Sequence, residues 1–233
     1  MLPDFASAVQ RISVLALPAI FAITFHEAAH GFVAYRLGDD TAWRMGRVTF
    51  NPLRHIDPVG TILIPLVLFF TTGFLFGYAK PVPVNFSRLR HPRIDMVWVA
   101  LAGPGTNILL AIVSALLAYV LPLVPPVGYA WARDNLITSV QFNVLLAVFN
   151  MIPLPPLDGG RVAVGLLPDM LAFPLARLER YGLLIIVGLL FVLPMVGERL
   201  HLNLDLLSYV IFYPADYVMR GISWVTGVHV GLT

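Results

Sequence analysis

The chain has 233 residues, of which 58% are hydrophobic and 12% charged, with mean hydropathy +0.83 and a net charge of +2. That is about half the charged fraction of an ordinary soluble domain, so the composition points to a polytopic membrane protein. It contains no cysteine, which excludes a disulfide framework and a thiolate metal site and leaves His, Asp or Glu to hold any metal. The arginines fall between apolar runs, as topology determinants do, and form no nucleic-acid patch.

The first apolar run covers about 11–36, and Gly38, Asp39 and Asp40 close it as a helix-stop signal. It carries His26, Glu27 and His30, so it reads as a retained span and not as a cleavable signal peptide. In 41–60, "WRMGRVTF" reads as a strand, and Asn51-Pro52 and Asp57-Pro58 read as turns. The run 59–77 is apolar but interrupted by Pro65 and by Thr71-Thr72-Gly73. "KPVPVNFSRLRHPR", 80–93, is basic, and its prolines suit an extended edge segment.

The run 96–121 is a span with Gly103, Pro104 and Gly105 inside it. The segment 137–167 starts as a helix, must break at Pro153, Pro155 and Pro156, and restarts near Asp158. Two further apolar runs follow, at 182–197 and about 204–226.

Basic residues separate two topologies. If 59–77 crosses, nine lie on the N-terminal side and six on the other; if it re-enters, twelve collect on one side and three on the other. The second distribution obeys the positive-inside rule better, with an external N-terminus. The expected fold is therefore an all-α polytopic membrane protein of five to six transmembrane helices. A short β-hairpin or re-entrant segment lies between the first span and the GPGTN span.

His26 and His30 stand at i and i+4, on one helix face, where two imidazoles can grip one zinc ion. Glu27 between them completes H-E-x-x-H, two ligands and a general base for hydrolysis. A buried His pair can instead be a packing device. At membrane depth, however, an uncompensated acidic side chain costs roughly 2.5–3.5 kcal/mol on insertion scales, which a bound dication offsets.

A third ligand is needed. Asp158 follows a proline-broken segment deep in an apolar run, and two glycines after it permit close backbone approach. The alternative is a helix N-cap. His55 and Asp57 form a second candidate pair, or simply pack a loop. Asn107 and Asn150 can donate to an oxyanion or can satisfy carbonyls freed by nearby prolines. Asn143, seven residues before Asn150, reads as packing.

"HEAAH", "GPGTN" and "FNMIPLPPLDGGRV", in this order, resemble the site-2 protease family of intramembrane zinc metalloproteases over about 11–167. "NPLRHIDPVGT" and "AKPVPVN" resemble its compact prokaryotic branch, with no room for PDZ or CBS domains. The resemblance implies one zinc ion held by His26, His30 and Asp158, Glu27 as the base, and Asn107 and Asn150 near the site. It implies a single membrane protease domain over 1–233, with accessory spans at about 168–226, in a prokaryotic plasma membrane. It implies a transmembrane protein substrate; a substrate helix must unwind to be cut, so it is expected to bind in extended form, with "WRMGRVTF" or "KPVPVNF" as the edge strand that receives it, and no nucleic-acid partner is expected. The alternative function is a membrane zinc-binding or transport protein without protease activity. A prenyl-protein endopeptidase is disfavoured, because only Glu179 and Glu198 follow Glu27 and neither lies in an ExxxE pattern.

Overall fold

A computed structural model describes residues 5–63, 80–200, 202, 206 and 208–229. Helix α1 is Phe5–Arg36, 32 residues and thus about 48 Å long. It ends where the sequence predicts. Gly38 takes φ +117°, in a region that disfavours a Cβ, and the Asp39 N–H turns back to the Ala34 carbonyl at 2.9 Å. A one-turn helix α2, Thr41–Arg44, follows.

The strand expected at 43–50 does not form. Residues 45–46 turn, with Gly46 at φ +62°, and 48–50 bend. The reason lies in the aromatic side chains. Trp43 stacks on Tyr35 with ring centroids 4.8 Å apart, and Phe50 stacks on Phe25 at 4.4 Å. Both ends of the segment therefore clasp α1, which an extended strand could not do. Residues 80–85 form neither helix nor strand, and Phe86–Arg88 turns as a 3₁₀ helix where the sequence predicts extension to 93. Pro81 and Pro83 have no N–H to donate, and the N–H groups of Lys80, Val82 and Asn85 go to His55, Glu27 and Asp39. No β-hairpin is present among the described residues. Most of the run 59–77, on which crossing and re-entry differ, lies outside them; Pro58–Leu63 forms a π-helical turn.

Helix α3, Pro92–Leu117, opens with proline at its first position, and the Asp95 carboxylate accepts the His91 N–H at 2.8 Å. A 3₁₀ stretch, Ala118–Leu123, prolongs it. Helix α4 is Pro126–Asn150. It starts eleven residues before the apolar run suggests, because Pro126 sets a helix start ahead of the polar turn that carries Arg133 and Asp134. The proline-broken link then leads to α5, Asp158–Leu166, and to α6, Asp169–Arg177. Helices α7, Gly182–Val187, and α8, Leu193–Arg199, are joined by a π-helical stretch, and α9 is Tyr213–Thr226.

α1, α3 and α4 pack on one another, and α5 packs on α3. Small residues let α3 and α4 approach: Ala111 and Ala115 meet Val140 and Val144, and α9 closes the cluster with Ala215, Met219 and Ile222. Ser114 and Ser139 share a hydrogen bond of 2.8 Å across the α3–α4 seam.

Two stretches, Val9–Arg36 and Pro92–Leu123, are long and apolar enough to cross a bilayer, and only 28% of each apolar window is buried by the protein itself. Ile12, Leu15 and Phe21 on α1 and Trp98 and Leu109 on α3 point outward. Continuous apolar surface of this extent suits lipid and not water. Both helices have the surface that a membrane-spanning helix requires.

Met219 is fully buried where α3, α4 and α9 meet. Met219→Ala should destabilise the fold by about 2–5 kcal/mol, read as a lower midpoint in denaturant titration in detergent.

Candidate metal centre

α1 presents His26 and His30 on one face, with ring centroids 4.6 Å apart and the rings nearly perpendicular. α3 fixes both rings from behind. The His26 Nδ1–H donates to Asn107 Oδ1 at 2.6 Å, and the His30 Nδ1–H donates to the Val99 carbonyl at 2.7 Å. With the proton held on Nδ1, each Nε2 keeps its lone pair and turns inward.

Residues 99, 103 and 107 are spaced four apart, so they share one face of α3. Val99 and Asn107 anchor the rings, and Gly103 between them makes the room. A Cβ there would sit 2.5 Å from His30 Nε2 and 2.6 Å from His26 Nε2. No other residue fits.

Asp158 completes the group. Its Oδ2 lies 3.2 Å from His26 Nε2 and 3.4 Å from His30 Nε2, and the two Nε2 atoms are 3.0 Å apart. The N-cap alternative does not hold: Leu157 takes the cap position, and Asp158, at the first helical position of α5, turns its carboxylate to the histidines. Gly159 and Gly160 allow this. Cβ atoms there would lie 2.2 Å from the Met151 carbonyl oxygen and 2.1 Å from the Pro155 nitrogen, so α5 starts pressed against the proline-broken link.

Three buried acceptor atoms thus face one another, and Oδ2 has no hydrogen-bond donor. Unpaired acceptors at such distances repel, and a cation removes the conflict. A tetrahedral zinc with bonds of about 2.0–2.2 Å holds its ligand atoms about 3.3–3.5 Å apart. The observed edges of 3.0, 3.2 and 3.4 Å lie at or a few tenths of an ångström below this range, and the two-imidazole, one-carboxylate donor set suits zinc. Among the described residues this is the one group of three that could hold a metal ion.

Glu27 lies beside the group and not in it. Its half-buried carboxylate accepts the Val82 N–H through Oε2 at 2.7 Å.

Asn107 takes a different part from the oxyanion donor suggested by its type. Its Oδ1 serves His26, and its Nδ2 donates to the Ala22 carbonyl at 3.2 Å and to Asn143 Oδ1 at 2.8 Å. Asn143 in turn donates to the Ser139 carbonyl at 2.9 Å, which sets the direction of the chain of amides. Both amide hydrogens of Asn107 are therefore committed, and the residue positions His26. Asn150, the last residue of α4, donates to the Leu146 carbonyl at 2.9 Å and makes no hydrogen bond to the three ligands.

His55 is buried away from the group. Its Nε2 donates to the Thr49 carbonyl at 3.0 Å, and Asp57 accepts the Val59 and Gly60 N–H groups. That pair organises a loop. His91 and His229 are exposed, and His201 lies outside the described residues. Sequence reasoning missed Gly103, the Val99 carbonyl, the Val82 amide and the role of Asn143. The glycine within "AGPGTN" and the 143–150 spacing were the visible signals.

Over 187 residues the chain is 38% identical to YwhC of Bacillus subtilis (strain 168), covering 78% of this chain and 81% of that one. It is 30% identical over 174 residues to Rip2 of Mycolicibacterium smegmatis, covering 73% and 64% of the two chains. It is 31% identical over 162 residues to MJ0611 of Methanocaldococcus jannaschii, covering 69% and 73%. All three carry the name "Putative zinc metalloprotease".

The chain belongs to the site-2 protease family of zinc metalloproteases.

No family model and no solved structure matches it. Family membership and the converging acceptors agree on zinc.

Gly103→Ala should abolish stoichiometric zinc binding while helical content in detergent stays unchanged, checked by metal analysis beside circular dichroism. Asn107→Ala should weaken zinc affinity by about 10–100-fold, the usual loss when a ligand's outer partner is removed, measured by competition with a chelator.

Proposed function

We propose that this protein is an intramembrane zinc endopeptidase that hydrolyses peptide bonds within or beside transmembrane segments of other membrane proteins. The observation that carries the reading is the set of three buried ligand atoms, two imidazole nitrogens and a carboxylate oxygen, facing one another from α1 and α5, with Glu27 one residue along α1. A cation-binding site built at such desolvation cost and flanked by a base is organised for chemistry.

When bound by His26, His30 and Asp158, zinc supplies Lewis-acid activation of water and of a peptide carbonyl. The chain's own groups do the rest. Asn107 and the Val99 carbonyl hold the imidazoles neutral and correctly turned. Glu27 takes the proton of the attacking water and returns it to the leaving amine. Gly103 keeps α3 close enough to shield the site from bulk solvent.

A helical substrate hides its carbonyls in internal hydrogen bonds, so it must unwind to be cut. The unwound segment needs backbone partners, and the carbonyls of residues 82–84, which accept no hydrogen bond among the described residues, offer them. "WRMGRVTF" is a poorer candidate, because it wraps α1 instead of lying extended. We assign the whole of 1–233 to one protease domain with catalytic core about 11–167 and accessory spans about 168–226, five to six spans in all. We place it in a prokaryotic plasma membrane. The transporter alternative wants several sites along a path, and the described residues hold one cluster.

The test is cleavage of a panel of model single-span substrates by purified protein in detergent, wild type beside Glu27→Gln, with zinc quantified in both. Glu27→Gln should keep one zinc per chain and lose about 10²–10⁴-fold in rate, the usual contribution of a general base. Equal rates would remove Glu27 from the mechanism, and absence of zinc from the wild type would sink the reading.

A further inference from the structure

Glu27 is not held by its own helix. Its Oε2 takes the Val82 N–H at 2.7 Å, and Oε1 has no partner among the described residues. A single N–H engages one carboxylate oxygen, whereas a guanidinium fork would engage both.

Val82 is itself held from several directions. Its side chain, 8% exposed, packs toward Gly31, one helical turn beyond Glu27 on α1; a Cβ at Gly31 would lie 3.0 Å from Val82 and 2.9 Å from Val48. Two residues before it, the Lys80 N–H donates to the His55 carbonyl at 2.9 Å, and the Lys80 carbonyl accepts from the Arg47 guanidinium at 2.7 Å. Three residues after it, the Asn85 N–H donates to Asp39 Oδ2 at 2.6 Å. His55, Arg47 and Asp39 are 2%, 6% and 0% exposed. Buried charges are tolerated where they are hydrogen-bonded, and bonds of this kind rigidify the backbone that they grip.

We propose that the Val82 amide is the positioning group for Glu27. It fixes Oε2 and leaves Oε1 as the oxygen that takes the proton, and Arg47, His55 and Asp39 act through it by holding the 80–85 segment. The inference rests on the reading of Glu27 as the base. It makes the segment part of the base's support. A flexible glutamate would otherwise sample many rotamers beside the reacting atoms, and proton transfer needs hydrogen-bond geometry.

The experiment replaces Val82 by its α-hydroxy acid analogue in the full chain, so that an ester oxygen stands where the N–H was. Cleavage of a model single-span substrate and zinc content are measured beside the wild type. The expected result is a fall in kcat of about tenfold to a hundredfold, the worth of a hydrogen bond to a charged group, with KM unchanged within about twofold and one zinc per chain. An unchanged kcat overturns the proposal. Loss of zinc with activity also overturns it, because the amide would then support the metal site and not the base.

Arg47→Ala and Arg47→Lys give an independent reading if the ester protein does not accumulate. Arg47→Ala should lower kcat at constant KM and zinc, and Arg47→Lys should recover part of the loss. A change in KM alone, or no change in either constant, overturns the proposal. A wild type that cleaves, with Glu27→Gln inactive, keeps the protease reading intact in all these cases.

Discussion

The structure depends on one electrostatic conflict: three acceptor atoms, two imidazole nitrogens and a carboxylate oxygen, brought within 3.0–3.4 Å of one another inside a membrane protein. In water such atoms would turn to solvent. Here the packing of α1, α3 and α5 denies them that option. The rings cannot swing away, because their Nδ1 protons are engaged by Asn107 and the Val99 carbonyl. Asp158 cannot retract, because Gly159 and Gly160 seat its helix on the Met151–Pro155 link. A bound cation relieves this repulsion, which ties metal binding to the packing of these helices.

The same logic explains the distribution of small and polar residues. Lipid gives helices no hydrophobic reason to associate, so close contact must come from small side chains and interhelical hydrogen bonds. α3 has both. Its Gly103 face meets the imidazoles, and Ala111, Ser114 and Ala115 meet α4 further along. Asn107 and Asn143 extend the polar line from His26 into the α3–α4 seam. Every amide in that line is satisfied, which is the condition for polar groups at this depth to rigidify rather than destabilise.

Features set by local spacing were legible in the sequence. The i, i+4 histidines, the helix stop at Gly38, the break at Pro153–Pro156 and the restart at Asp158 each follow from residues within a turn or two of one another. Partnerships between distant residues were not. Asn107 reads as a donor by type, and only the placement of α1 and α4 shows that both of its hydrogens are already used. Gly103 reads as a packing glycine until His26 and His30 are found against it. "WRMGRVTF" has strand-like composition, but Trp43 and Phe50 find rings on α1, and tertiary contact overrides the local preference. His55 offered plausible metal chemistry by type, yet its backbone carbonyl, held to Lys80, is the part that matters to the site.

The ligands and the base are supported by separate parts of the chain, and that separation has a mechanistic reason. His26 and His30 must stay fixed through the reaction, so they are held by a neighbouring helix through buried bonds. In the proposed reaction Glu27 gains and loses a proton, which changes its charge and its hydrogen-bonding needs at each turnover. A partner on the rigid α3 face would have to serve both states of the carboxylate. A lone backbone amide on a braced segment serves them with less disturbance: it donates to a carboxylate oxygen and, more weakly, to a carboxylic acid carbonyl, and it carries no charge of its own. The sequence "KPVPVN" suits this use. Its prolines hold the segment extended and remove competing donors on either side of Val82, so the one N–H between them is directed to Glu27. The proline-flanked valine can therefore be read as a consequence of what the glutamate needs.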